Sequence, residues 1–380
     1  MTATASRDRY LDALRAAALA RVVVFHMFGF AWLSFVFPAM GVMFALGGSL
    51  MAASMRRSAT AAVRGRVRRL LPALWLLGAI LLPAMFWHGW TPDSAYRLVF
   101  WVVPVADPPG SEWASGATVV LWYLVTYLWL VLISPLAWQA YRRFPLPTVV
   151  LPLVLLAFTQ LGPLDVGGPA GDVVVDVATF GACWFVGFAH RTGQLRRVKV
   201  ASLVPLAATC VAAGAAWALT HPADDGLDLN DIPLAQALYS LGFVLLALRI
   251  SPTMNRLPRI RPLDGAVTLL NSRAVTVYLW HNIAITLAFP LGDLVGAWRV
   301  GNVGYFGLAL VLLIVAVLAF GWVEDLAAKR RPAILPPPLA TRRSRDLRRG
   351  FAEILESRGP CDDHETPRSR KISGYCRGDD

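Results

Sequence analysis

The chain has 380 residues, 56% of them hydrophobic and 16% charged, with a mean hydropathy of +0.54. Soluble domains carry about 25% charged residues, so the composition excludes an ordinary soluble fold and points to a polytopic membrane protein. The net charge of +12 does not imply nucleic acid, because Lys and Arg collect in short loops and the C-terminal tail, where a membrane protein sets its orientation.

A membrane span needs about 20 mostly apolar residues. Taken in order, the apolar runs predict about ten helical spans: 11–35, 36–55, 70–87, 118–138, 147–162, 172–189, 200–219, 232–250, 272–291 and 303–323. The stretch 97–106 is too short to cross and is expected to lie in the interface or re-enter. With the N-terminus in the cytosol, the charges sort by side. Arg56, Arg57, Arg64, Arg66, Arg68 and Arg69 fall inside, as do Arg142, Arg143, Arg191, Arg196, Arg197 and Lys199, and then Arg249, Arg256, Arg259 and Arg261. Asp93, Asp107, Glu112, Asp165, Asp224, Asp225, Asp228 and Asp231 fall outside, with Arg97 and Arg299 the only external bases. That is the positive-inside pattern. The expected fold is therefore an all-α transmembrane bundle with both termini cytosolic, multi-pass in the plasma (inner) membrane.

No small-residue cleavage site follows the first apolar run, so the first helix is expected to stay in the mature chain. Residues 1–325 read as the membrane domain and 326–380 as a basic cytosolic tail. Within that tail 340–380 reads as disordered, with a weakly amphipathic piece near 346–357, and Arg342, Arg343, Arg345, Arg348 and Arg349 are placed against anionic lipid. Cys183 and Cys210 lie in apolar runs and read as packing residues. Cys361 and Cys376 lie in the cytosolic tail, where a disulfide is not expected.

Four constellations carry candidate chemistry. Arg15 and His26 are eleven residues apart in the first span. On a helix that puts them about 20° apart on one face and about 16 Å apart along the axis. Ionisable residues inside a membrane are costly and default to function. In an apolar setting a neutral imidazole is favoured, and it can accept a proton from a hydroxyl. A histidine hydrogen-bonded between helices, and an Arg15 that snorkels or pairs with Asp12, are the plainer readings. Arg21 falls on a different face. The second constellation is Arg64, Arg66, Arg68 and Arg69, read as opening the third span, where a helix N-terminus and guanidinium forks would favour phosphate. The same charges could report topology alone. The third is YLWHN at 278–282, with His281 and Asn282 inside the ninth span, lining a cavity or tying helices together. The fourth is LWYL at 121–124, where Trp122 and Tyr123 read as an aromatic belt or as a floor for an acceptor sugar. His88, His190 and His221 sit at span ends and read as interfacial; His364 is in the tail. No Gly-rich phosphate loop and no metal-ligand motif stands in the chain, and no metal is expected.

Residues 7–323 resemble the integral-membrane acyltransferase family 3. The likeness rests, in order, on RYLDALR at 9–15, VVVFH at 22–26, MFALGG at 43–48, RVRRLLP at 66–72, LWYL at 121–124 and YLWH at 278–281. The resemblance implies that Arg15 and His26 are the family's essential Arg-x10-His pair. It also implies that Arg66 and Arg69 are its Arg-x-x-Arg motif, held to bind acyl-CoA. The family's functional acid near the last helices is not placed here: Glu324 and Asp325 are nearby but at the cytosolic end. No esterase-like domain is appended.

The expected function is O-acylation: transfer of an acyl group, acetyl by preference, from cytosolic acyl-CoA to a hydroxyl of a glycan, lipid-linked sugar or glycosylated metabolite. His26 acts as base or as acyl carrier. The expected partners are acyl-CoA, the hydroxyl-bearing acceptor and the lipid bilayer, without nucleic acid. A proton-coupled transporter using His26 and His281 is the rival, and a non-catalytic scaffold is the plainest alternative. The absence of a visible internal repeat counts mildly against the transporter.

Overall fold

The computed structural model describes residues 8–162, 164, 166–223, 226–252, 254 and 260–333. Everything expected of 340–380 lies outside the described residues, with His364, Cys361 and Cys376. So do Asp165, Asp224, Asp225, Arg256 and Arg259.

The described chain is helical, with no strand among the described residues. The helices are α1 Arg9–Phe28, α2 Trp32–Val36, α3 Ala39–Met55, α4 Ala59–Trp87, α5 Ser115–Thr118, α6 Leu121–Arg143, α7 Pro145–Gln160 and α8 Gly168–Thr192. They continue with α9 Gln194–Arg197, α10 Val200–Thr220, α11 Pro233–Ile250, α12 Arg261–Ser272, α13 Ala274–Val295, α14 Asn302–Phe320 and α15 Trp322–Ala327. Helices satisfy every backbone group within one segment, which is what lipid requires. Eight described helices are long and apolar enough to cross a membrane. The expectation of about ten spans divides into those eight, the charged α1 and the 16-residue α7.

Two local features differ from the sequence expectation, and packing places a third stretch. The first apolar run, 11–35, is not one helix. Gly29, in the left-handed region at φ 64°, donates its N–H to the Phe25 carbonyl and ends α1, and α2 follows as a separate turn. The third helix does not open at Arg66. Ser58 caps it, its hydroxyl accepting the Ala61 N–H, so Arg64 to Arg69 lie within the helix. The stretch 97–106 neither crosses nor lies free. Trp101 is buried against Gly78 of α4, its indole N–H donating to the Pro109 carbonyl, while Trp129 of α6 donates to Val105.

The centre of the bundle is the α3–α8 pair. A Cβ placed on Gly48 would lie 2.0 Å from the Trp184 carbonyl oxygen, and one on Gly187 would lie 2.2 Å from that of Ala45. The two backbones touch because these positions have no side chain, which is how membrane helices gain contact without a hydrophobic drive between them. Around this seam Leu46, Phe44, Trp184 and Phe188 are buried. Gly187→Leu is expected to cost about 3 kcal/mol or more, since overpacking must here move backbone rather than a flexible side chain. Melting of the purified protein in detergent would measure it. Gly265→Ala, with open space around its Cβ, is the control. Equal melting of the two variants would mean that α3 and α8 do not meet at Gly187.

The two free cysteines of the bundle behave as small apolar side chains: Cys183 is buried and Cys210 is half-buried.

Candidate functional site

Arg9, Arg15, Arg57, Arg66, Arg69 and Arg330 gather at one end of the bundle, called here the basic end. α1 is held there from its first turn. Asp8 caps it, Arg9 pairs with Asp12 at 3.2 Å and with Asp264 of α12, and the Asn271 amide donates to the Asp12 carbonyl at 2.8 Å. Asp12 is thus engaged by Arg9, which leaves Arg15, one turn on, for the interior.

Arg15 lines a cavity of about 590 Å³ together with Arg57, Arg66, Arg69 and Arg330. Tyr123, Tyr127, Tyr278 and Glu324 are also on its wall. Arg66 and Arg69 sit one turn apart on α4, and the Arg66 guanidinium donates to the Tyr127 hydroxyl at 2.9 Å. Because α4 starts at Ala59, the N-terminus of α4 lies about two turns before Arg66, and what Arg66 and Arg69 bring to the cavity is guanidinium charge. Five guanidinium groups around one cavity repel one another, so a polyanion that fits it is favoured. Planar forks that bind oxyanions two bonds at a time make phosphate the best match.

Glu324 is the one carboxylate on the wall. Its Oε1 accepts from the Thr276 backbone N–H at 2.7 Å and from the Thr276 hydroxyl at 2.6 Å. Burial pushes its carboxyl up; the two bonds from Thr276 and the charges of Arg273 and Arg330 oppose this only in part. The neighbouring Asp325 turns away from the cavity to Arg273, at 2.7 Å, and to Arg330, at 3.0 Å. The sequence reading set both acids aside because they lie at the basic end. The cavity lies at that same end, and only the fold brings Glu324 to it. Beyond the expected boundary at 325, Arg330 reaches the cavity wall and the Ala333 N–H bonds Asp325.

His26 occupies the last turn of α1, on the stripe that carries Arg15, and is half-buried. His281 of α13 is fully buried. Their ring centroids are 5.0 Å apart. Neither histidine lines the cavity. A row of rings connects the two places: Tyr123 lies 4.8 Å from Tyr278, which lies 5.7 Å from His281. Tyr278 is pinned by its hydroxyl, which donates to the Val120 carbonyl at 2.8 Å.

The expected site residues therefore divide. Arg15, Arg66, Arg69 and Tyr123 meet in one cavity, and His26 and His281 meet each other one ring beyond it. Tyr123 looks into the bundle, where its ring packs between Phe44 of α3 and Tyr278 of α13, each at 4.8 Å. Its neighbour Trp122 stacks on Phe180 at 5.5 Å and does not line the cavity. Asn282 donates to the Gly116 carbonyl at 2.9 Å, a tie between α13 and α5. Arg21 stacks over Phe25 and donates to the Leu33 carbonyl, apart from the cavity. His88 and His221 stack on Trp113 and Trp217 near helix ends, and His190 bonds the Ser49 hydroxyl. Among the described residues, the polar wall members that the sequence did not single out for the site are Arg57, Arg330, Tyr127, Glu324, Ser54, Asn271 and Ser272. Only the basic character of their segments hinted at the first two.

A family model described as an acyltransferase domain matches residues 8–322 of the chain. No curated protein and no solved structure matches it.

Proposed function

The chain belongs to the acyltransferase family 3 and is a multi-pass membrane acyltransferase; from that premise we propose that it moves an acyl group from acyl-CoA to a hydroxyl, an O-acyl transfer. The observation that carries this reading is the five-arginine cavity. CoA brings a pyrophosphate and a further phosphate, the groups such a wall favours. Loops rich in Arg at the basic end support a cytosolic position for that end, on the side where CoA is found, and the membrane proposed is the plasma (inner) membrane. Arg66 and Arg69 hold phosphate, and Arg15, deeper on α1, steadies the donor near its thioester.

His26 is the base. It takes the proton of the acceptor hydroxyl as that oxygen attacks the thioester carbon; the C–S bond breaks, and the CoA sulfur leaves with a proton. Transfer through an acyl-histidine is the other route with the same residues. The acyl group we propose is acetyl. The acceptor is a glycan, a lipid-linked sugar or a glycosylated metabolite, all rich in hydroxyls. The transporter and scaffold readings lose their ground to the family assignment.

Radiolabel transfer from acetyl-CoA, measured against butyryl- and octanoyl-CoA with purified protein, tests the reading. Label release or self-labelling greatest with acetyl supports it. CoA binding with no release from any donor and a hydroxyl-rich acceptor present would sink it. Arg66→Ala with Arg69→Ala is expected to weaken acyl-CoA binding at least about tenfold, since each charged hydrogen bond contributes about 1.5–3 kcal/mol. The loss should shrink at high salt, as screened ionic contacts do. Unchanged affinity by titration calorimetry would leave the cluster as a topology signal alone.

A further inference from the structure

His281 is fully buried, yet no protein group hydrogen-bonds its Nε2. Its Nδ1 lies 2.6 Å from the Tyr278 carbonyl oxygen. A carbonyl can only accept, so Nδ1 carries the hydrogen and donates. In the neutral ring Nε2 is then a bare lone pair. A buried acceptor left unmatched costs about 1–3 kcal/mol, so a donor is called for.

The nearby polar groups narrow the choice. The Tyr278 hydroxyl donates to Val120, and the Asn282 amide donates to Gly116. The ring facing His281 at 5.0 Å belongs to His26, tilted by 55°. The two rings are in contact without a hydrogen bond between them, and turning the His26 ring in place would bring its N–H onto Nε2, because imidazoles joined by an N–H···N bond of about 2.9 Å also have centroids about 5 Å apart. The charged and titratable groups around the pair are Arg21 and Asp228 on the His26 side, with Tyr278 and Tyr123 behind His281.

We infer that His281 is the positioning residue of a histidine dyad: once the His26 ring turns toward it, its Nε2 accepts the N–H of His26 and so presents the other nitrogen of His26, unprotonated, to the acceptor hydroxyl. The inference rests on the reading of His26 as base. In the transfer step the hydroxyl proton passes to that free nitrogen, the oxygen bonds the acyl carbon, the C–S bond breaks and the same nitrogen returns the proton to the leaving sulfur. His281 loses and gains no proton overall. It holds one tautomer of His26 and shares the charge that forms on it, the task a carboxylate performs in hydrolytic triads. A carboxylate would bury a full charge at this depth, whereas a neutral imidazole makes the same hydrogen bond without one.

The test compares His281→Phe with His281→Gln, reading kcat, the KM for acetyl-CoA and CoA affinity. Phe keeps the ring shape without an acceptor; Gln restores an acceptor oxygen. His281→Phe is expected to lower kcat about 100-fold, the lower range for losing a positioned acid–base group. KM should stay within about twofold, and His281→Gln should recover about tenfold of the lost rate. Wild-type turnover in His281→Phe would overturn the dyad, as would equal loss in both variants. Nitrogen NMR of histidine-labelled wild-type protein gives a reading that survives misfolded variants. The expected form is Nδ1–H at His281, with Nε2 coupled to an N–H of His26; an Nε2–H form at His281 overturns the inference. If His26→Ala keeps its turnover, the base itself is wrong; if only His281→Phe does, the dyad alone fails.

Discussion

His26→Ala is expected to reduce acyl transfer to below about one thousandth of the wild-type rate, within the range that a positioned base contributes. Protein yield and melting should change little, because His26 is half-buried at the end of α1 rather than in the seam of the bundle. Acyl-CoA affinity should stay within about twofold, since His26 is not on the wall of the arginine cavity. Single-turnover release of labelled acetate or acetyl product, together with CoA titration, separates the two effects. Transfer at the wild-type rate would remove His26 from the chemistry. Loss of transfer together with loss of CoA binding would make it a wall residue after all. The opposite profile is expected of the Arg66 and Arg69 pair, where binding falls first and the rate at saturating donor is spared.

The other large effect is expected at Arg273. Its guanidinium is fully buried and donates to the Gly321 carbonyl and to Asp325, each at 2.7 Å, and to the Ala333 carbonyl. These bonds hold α15 and the segment after it against the start of α13, which keeps Glu324 on the cavity wall. Arg273→Leu leaves the Asp325 carboxylate buried with Arg330 alone, and Arg330 is partly exposed. Breaking a buried pair from one side costs about 3–5 kcal/mol. Folded yield and melting temperature should drop accordingly. Arg273→Leu with Asp325→Leu should recover most of the loss, because removing both partners leaves no orphaned charge. No recovery would mean that Arg273 acts through the Gly321 and Ala333 carbonyls.

The same pair sets a pH dependence. Burial would raise the Asp325 carboxyl, but the bonds from Arg273 and from the Ala333 N–H outweigh it and hold it below the ordinary carboxylate range. A group depressed in the folded state stabilises the fold above its unfolded value, about 3.9 for Asp, and loses that contribution as pH falls through the folded one. Melting of the wild type should therefore decline below about pH 4, and the slope should flatten in the double variant.

Much of this protein is written along the chain. Apolar runs of span length make helices because lipid offers the backbone no hydrogen-bonding partner, so each segment must bond within itself. The Arg15–His26 stripe follows from the helical period alone, and the arginines of 64–69 are visible as a cluster. Helix limits were less legible where an amphipathic segment precedes an apolar one. An apolar window sees only the second part of α4, from residue 70, while its start is set by the Ser58 cap about three turns earlier. The tertiary structure decided what no period or window can express. Arg57, Arg66 and Arg330 stand hundreds of residues apart at the extremes, and only packing closes them around one cavity with Glu324. Tyr123 changed from a surface aromatic to a wall residue because Phe44 of α3 and Tyr278 of α13 close around its ring. His26 and His281 became neighbours because α1 packs on α13. The difference is physical: hydrogen bonding in a bilayer is local and leaves its mark in every segment, whereas a site between helices is made of contacts whose partners the chain separates.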